Sequence, residues 1–306
     1  KRKQNENLTR DHKQLAWACQ RVFEETLNKM LEILYERTKT KNLIVSGGCF
    51  MNSVYNGKLV SQTPFENIFI GSCPDDSGIS VGAALWGYYN NHKNKKRVIH
   101  THNYWGPDYN DQIDETLKKY KIEYKKLDNP PAKAAELISN SKIIGWFQGR
   151  MEFGQRALGN RSILADPRNK NSKDLVNLAV KYRESFRPFA PSILLEHAEE
   201  YFNTNGDNSV NFMEKVYQFK EEKKTAVPAV VHVDGSGRLQ TVDEFSNPMY
   251  YQLIKTFKEI TGIPIVLNTS FNLNGEAIVC TPVDAIRTFY SCGLDHLIIG
   301  DYLISK

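Results

Sequence analysis

At 306 residues, with 41% hydrophobic and 25% charged side chains, the chain can bury a sizeable core, most simply as two domains. Its net charge of +5 is too mild to argue for nucleic-acid binding but suits small anionic ligands, and no apolar run approaches the about 18 residues of a membrane span. Five cysteines, at 19, 49, 73, 280 and 292, show no CxxC spacing, which predicts reduced thiols in a cytoplasmic protein and no zinc site.

The chain opens at Lys1 without methionine, on a polar stretch, and reads as a start inside a larger protein. A helix follows, with Leu15, Cys19, Val22, Phe23, Thr26, Leu27, Met30, Leu31 and Leu34 on one stripe. "KNLIVSGG" (41–48) predicts a buried strand and a tight turn, and "ENIFIGSCPDDSG" (66–78) repeats that form. "GISVGAALWGYY" (78–89) predicts a helix of small residues able to pack closely on a sheet. The basic stretch 91–103 is the linker candidate, with His100 and His102 facing solvent.

Beyond it helices and strands alternate. Helices are expected at 111–120, 131–140, 172–180 and 248–261. Strands are expected at "IEYKKL" (122–127), "KIIGWFQG" (142–149), "RPFAPSILL" (187–195), where two prolines disfavour helix, and "IPIVLNTSFN" (263–272). "AVPAVVHVDGSGRLQTV" (226–242) suggests two strands around a Gly-Ser-Gly turn. "PVDAIRTFYSCG" (282–293) starts on proline and ends on glycine, as helices do, and one or two strands close the chain. The second part is therefore α/β with a mixed sheet.

Four clusters are polar where the pattern expects core or turn. The first is Arg150, Arg156, Arg161 and Arg168 with Glu152; these arginines alternate with small and apolar residues, as in a half-buried segment. The second is Lys181, Arg183, Arg187 and Ser192. The third is His232, Asp234 and Arg238. The fourth is Asn268, Thr269, Ser270, Asn272, Asn274 and Glu276. Guanidinium groups present paired donors matched to phosphate oxygens and keep their charge. A charge partly out of water needs a partner, and a polyanion would pair several at once. Ser270 and Asn272 follow a buried strand, the end at which ligands of α/β sheets bind. Together these predict a pocket for a nucleoside triphosphate or a similar phosphate ligand.

Plainer readings stay open at each position. The arginines could form a salt-bridge network with Glu152 and Asp166, Lys181 and Arg183 could be a solvated helix end, and Ser270 and Asn272 could cap a turn. His232 fits a hydrogen-bonded strand residue better than a base. Common phosphate and hydrolase motifs are absent from the sequence. In the first part, Gly47 and Gly48 would let backbone approach a ligand closely, or simply turn the chain. Asp75 and Asp76 alone are a weak metal signal.

"GRMEFGQRALGNRSILADPR", "KYRESFRPFAPS", "HVDGSGRLQTV" and "NTSFNLNGEAIV" closely resemble the O-carbamoyltransferases of the NodU/CmcH/TobZ type. The resemblance implies that residues 99–306 form a YrdC-like α/β domain. It also implies that residues 1–98 are the second half of an actin/Hsp70-type ATPase-fold lobe. Lys181–Arg183 and Ser270–Asn272 match the YrdC-like Lys-x-Arg and Ser-x-Asn pairs. The implied activity converts carbamoyl phosphate and ATP to carbamoyl-adenylate, then transfers the carbamoyl group to a hydroxyl of a small-molecule acceptor. Lys181, Arg183 and Arg156 are the implied catalytic residues. Arg150, Arg161, Arg187, Arg238, Ser270 and Asn272 are expected to hold substrate and nucleotide, with Mg2+ on the leaving pyrophosphate. "SGGCFMN" matches the nucleotide-site glycines, Gly47 and Gly48, and "DSG" matches a late metal aspartate, Asp76. The iron-type transition metal of the complete family domain takes histidines from a half with no match here, so full transfer is not expected from this chain. A homodimer is compatible with this reading. Two alternatives are a threonylcarbamoyl-adenylate synthase-like RNA-modification protein, distinguished by a demand for threonine and bicarbonate, and a non-catalytic nucleotide-binding module.

Overall fold

The computed structural model describes residues 2, 6–92, 96, 97, 99–181, 186–207 and 209–306. Its first element is α1 (Arg10–Thr38), started by a Thr9/His12 capping box and ended by Lys39 in the left-handed region, as orphan amides and carbonyls at helix ends require. Strands β1 (Asn42–Val45) and β2 (Asn67–Ile70) pair in parallel, with Leu43 opposite Ile68 and Val45 opposite Ile70. Two short helices, α2 (Ser53–Asn56) and α3 (Leu59–Gln62), join them. Leu31, Leu43, Val45, Tyr55, Leu59, Phe65 and Ile70 form the core of this unit.

Two expectations change here. Most of the α1 stripe is open to solvent: of its apolar members only Leu31 is buried, while Leu15, Val22, Met30 and Leu34 are exposed. The helix of small residues, α4 (Gly78–Asn91), buries no residue at all, and Trp86 is 73% exposed. Ile44 and Phe69, on the sheet face away from the core, are exposed as well. The pattern correctly gave an apolar helix, but the surface it suits is not supplied by these residues.

The larger unit begins with α5 (Ile113–Lys119), β3 (Lys125–Lys126), α6 (Pro130–Ser139), β4 (Ile144–Phe147) and β5 (Arg161–Ala165). Next come α7 (Ser172–Val176), a π-helical turn over Asn177–Lys181, β6 (Ala190–Leu194), α8 (Ala198–Tyr201), β7 (Lys215–Gln218) and β8 (Ser236–Val242). It closes with α9 (Pro248–Thr261), β9 (Ile265–Ser270), α10 (Pro282–Tyr290), β10 (His296–Ile299) and β11 (Tyr302–Ser305). The described strands form one mixed sheet in the order β3-β11-β10-β4-β5-β9-β6-β8-β7. Only β10/β4 and β6/β8 pair in parallel.

Alternate side chains send apolar groups to both faces. On β5, Leu164 joins Trp146, Val266 and the inner faces of α6 and α9. Its neighbours Ile163 and Ala165 join Phe147, Leu267, Val176 and Phe289 on the other face. Helix α9 starts at Asn247, whose side chain accepts from the Tyr250 amide, and stops at Gly262 with φ +78°. In α10, the Thr281/Asp284 capping box and Pro282 set the start. The helix stops at Tyr290, before Gly293. That glycine does different work: a Cβ there would lie 2.9 Å from the Ala179 Cβ.

Residues 226–231 do not form the first of the two expected strands. Pro228–Val230 is a 3-10 turn, because proline lacks the amide a ladder needs. The antiparallel partner of β8 is β7 instead, a strand that the sequence pattern does not predict. "IEYKKL" contributes only Lys125 and Lys126 to the sheet.

The two units touch directly. Asn56 Nδ2 donates to the Glu214 carbonyl at 2.9 Å, and Cys73 Sγ donates to the Phe153 carbonyl at 3.0 Å. At this junction the Glu214 carboxylate accepts from the Phe212 amide, and burial pushes its pKa up to about 7. An acid that binds its proton more tightly in the fold favours folding most at low pH. That contribution is complete below the ordinary glutamate range and is lost as pH rises to about 7. Glu214→Gln is therefore expected to flatten the fall in Tm across this window and to raise Tm at pH 8. The slope removed is at most about 1.4 kcal/mol per pH unit. Thermal melts from pH 4.5 to 8 check this; identical profiles for the two proteins would refute it.

Candidate functional site

The connection from β4 to β5 carries the arginine segment over the ends of the central strands. Its far half is held by buried side chains from several elements. Asn268 Nδ2 donates to the Ala157 carbonyl at 3.2 Å, and Gln240 Nε2 to the Leu158 carbonyl at 2.8 Å. Trp146 Nε1 donates to the Gly159 carbonyl at 2.8 Å. Glu152 Oε1 accepts from the Leu158, Asn160 and Arg161 amides. Ser192, Gln240 and Asn268 also bind one another, forming a polar layer within an apolar sheet. Ser192 and Asn268 belong to the clusters that the sequence pattern singles out, whereas Gln240 does not. The only available signal was a glutamine alternating with Leu239 on a strand.

This segment walls a cavity of about 250 Å³ lined by Gln155, Arg156, Arg187, Arg238, Asn268, Thr269 and Ser270. Residues from three of the four sequence clusters, far apart in the chain, line it alongside Arg187 of the remaining one. Arg156 is half-buried, and burial lowers its pKa. No described residue accepts a hydrogen bond from it. Asn268 Oδ1 is buried and has no partner among the described residues. The cavity thus offers several guanidinium donors, the Ser270 hydroxyl and an unanswered acceptor. That set fits a ligand with phosphate oxygens and a small donor group.

The other expected residues take different places. Lys181 is buried at the π turn, and its ammonium donates to the Ser270 carbonyl at 2.6 Å, the Asn272 carbonyl at 2.9 Å and Asn272 Oδ1 at 2.7 Å. Ser270 Oγ also bonds Asn272 Oδ1, at 2.6 Å. Lys181, Ser270 and Asn272 are therefore together, with the lysine organising the turn after β9. Arg183 lies outside the described residues.

Arg161 is fully buried and stacks on Phe147, with its guanidinium carbon 3.5 Å from the ring centroid. Nη1 donates to the Gln148 and Asn160 carbonyls, and burial pushes its pKa down to about 10. Arg161 does not line the arginine cavity. Arg150 is exposed, donates to the Trp105 carbonyl, and lines a separate cavity of about 590 Å³ with His102, Asn160 and Asp301. Arg168 bridges Asp166 at 2.7 Å, so the salt-bridge reading describes that arginine and not the others. His232 is held neutral at pH 7, its pKa lowered to about 4 by burial, with Nδ1 3.0 Å from Ser236 Oγ. His102 stacks on Tyr104 instead of facing solvent alone.

In the smaller unit Gly47 has φ +107° and donates to the Pro74 carbonyl at 2.5 Å. A Cβ on Gly47 or Gly48 would meet nothing within 4 Å, so the glycine loop borders open space. Only backbone conformation, at Gly47, requires glycine there. Asp76 is exposed, and Asp75 accepts from Ser77 Oγ. Among the described residues no three His, Cys, Asp or Glu side chains gather as a metal site would need. These residues alone do not make a metal centre. No helix among the described residues is long and apolar enough to cross a membrane.

A family model described as the carbamoyltransferase C-terminus matches residues 135–306, and one described as the carbamoyltransferase N-terminus matches residues 1–85. Nodulation protein NolNO of Sinorhizobium fredii is 42% identical over 304 residues, covering 98% of this chain and 45% of its own length. Nodulation protein NolO of Bradyrhizobium diazoefficiens is 41% identical, covering 98% of this chain and 56% of its own. The 3'-hydroxymethylcephem-O-carbamoyltransferase of Streptomyces clavuligerus is 29% identical, covering 94% of this chain and 52% of its own. The chain spans about half the length of these relatives.

Proposed function

The chain belongs to the carbamoyltransferase family, and from that premise we propose that its arginine cavity activates a carbamoyl group as an adenylate for transfer to a hydroxyl. The single observation that carries this reading is Arg156, a half-buried guanidinium without a partner among the described residues, opening on a cavity shared with Arg187, Arg238 and Ser270. A buried charge of this kind calls for an anion. Carbamoyl phosphate and the ATP phosphates supply anionic oxygens, and a carbamoyl amine supplies the donor that Asn268 Oδ1 lacks.

In this proposal carbamoyl phosphate first loses phosphate to water, leaving carbamate. A carbamate oxygen then attacks the α-phosphorus of ATP. The bond between that phosphorus and the bridging oxygen breaks, and pyrophosphate leaves with the electron pair. Arg156, Arg187 and Arg238 hold the phosphoryl oxygens and spread their charge, while Ser270 and the turn fixed by Lys181 orient the donor. Catalysis is then mainly positioning and electrostatic stabilisation. Mg2+ belongs to the same proposal as the counter-ion of the polyphosphate. Arg183, outside the described residues, keeps its proposed catalytic role. The YrdC-like identity of this unit, and the membership of residues 1–98 in an ATPase-fold lobe with Gly47, Gly48 and Asp76 at its nucleotide and metal site, are parts of the same reading. The acceptor hydroxyl would be met there, and the relatives' additional length would complete that site.

The test is the nucleotide product. With ATP and carbamoyl phosphate the protein is expected to release pyrophosphate, and AMP as water takes the carbamoyl group from the adenylate, and to release much less of both without carbamoyl phosphate. Release of ADP, or AMP formation independent of carbamoyl phosphate, would overturn the adenylate route.

A further inference from the structure

We infer that Glu152 is a positioning residue: its buried carboxylate fixes the backbone that presents Arg156 to the cavity. The inference rests on reading that cavity as an anion site. Glu152 is 4% exposed. One oxygen, Oε1, accepts from three amides of the same segment: Leu158 at 2.7 Å, Asn160 at 2.8 Å and Arg161 at 3.3 Å. The remaining amide of that run, Gly159, goes to Ser162 Oγ. The carbonyls of Ala157, Leu158 and Gly159 are taken by Asn268, Gln240 and Trp146.

Every one of these backbone groups is thus answered by a side chain and not by a helix or sheet ladder. Buried amides need such partners, and each left unanswered costs the fold the desolvation of that group. Three of the four amides depend on one carboxylate. Without it the segment has no reason to keep this path, although the sheet beneath it has its own ladders. Arg156 sits one residue before the first clamped carbonyl and has no side-chain bond to a described residue to aim it. Its direction is set by the backbone alone, and so by Glu152.

Glu152 forms no salt bridge with Arg156, so the pairing of opposite charges does not explain its burial. Burial raises its pKa, against the pull of the Asn160, Glu152 and Leu158 amides and of the Arg161 charge. Oε2 has no partner among the described residues. The part that matters for the path is the acceptor oxygen. Glutamine keeps that oxygen, alanine removes it, and aspartate draws it back by one methylene.

The experiment uses inorganic pyrophosphate as the probe, by calorimetry, together with amide hydrogen exchange on the same proteins. Glu152→Ala and Glu152→Asp are expected to weaken pyrophosphate binding by about tenfold or more, roughly 1.4 kcal/mol. Both should speed exchange at the Leu158 and Asn160 amides while Leu267 in β9 stays protected. Glu152→Gln is expected to restore both readouts to near wild type. If Glu152→Ala does not fold, Glu152→Asp and Glu152→Gln decide the matter. Pyrophosphate binding and Leu158 exchange unchanged in Glu152→Asp would overturn the inference, as would a Glu152→Gln protein as defective as the aspartate variant. If the wild-type protein does not bind pyrophosphate, the anion-site reading falls, while amide exchange still decides whether Glu152 holds the segment.

Discussion

Arg156→Met is expected to lower carbamoyl-phosphate-dependent AMP formation by about 100-fold or more while leaving Tm unchanged or slightly raised. The two effects have the same physical origin. In the free protein the guanidinium is half-buried, its pKa is lowered by desolvation, and no described residue pairs with it. Folding gains nothing from such a charge. With an anion bound, a guanidinium makes charge-assisted hydrogen bonds worth about 1.5–3 kcal/mol each. Two such bonds reach roughly 10²-fold in a rate or affinity. Methionine keeps most of the side chain's volume and removes the donors. A variant that loses activity and Tm together would point to a structural arginine, as Arg161 and Arg168 are.

Gly159→Ala is expected to be the most damaging small substitution in the arginine segment, costing about 4 kcal/mol or more. The residue has φ +111°, and an added Cβ would lie 2.2 Å from Tyr250 Cδ1. Tyr250, on the inner face of α9, is fully buried in the core, so its ring has no space to retreat into. Both strain and overlap act at one position. Expression of insoluble protein, or a Tm drop well beyond that of Gly262→Ala, is the expected result. Gly262 has φ +78° but open space around the missing Cβ, so the comparison isolates the overlap. Equal Tm values for the two variants would contradict it.

How far the sequence reveals these features depends on the physics behind each. Helix α9 and helix α10 have local signals, since Asn247, Gly262, Thr281 and Pro282 act within one turn of the chain. Ser270 at the end of β9 is legible because a buried strand running into polar residues has few other meanings. The four arginines between 150 and 168 are not separable in this way. All alternate with small or apolar residues, yet one lines the cavity, one is buried on Phe147, one bridges Asp166 and one is exposed. Which fate each takes depends on the register of β5 against β4 and on partners more than 80 positions away, such as Gln240 and Asn268. Strand β7 and the loss of a strand at 226–231 are of the same kind, since pairing is a tertiary choice. The unburied face of α4 follows a different rule. Its sequence asks for a packing surface that residues 6–92 do not contain.

Adenylate formation in the arginine cavity is tested most directly by exchange of radiolabelled pyrophosphate into ATP, measured with and without carbamoyl phosphate. Exchange requires that the adenylate-forming step run backwards on the protein. Exchange is expected to appear with carbamoyl phosphate and to be lost in Arg156→Met. Measurable ATP binding with no exchange under either condition, in this chain and in a protein of the relatives' full length, would contradict it.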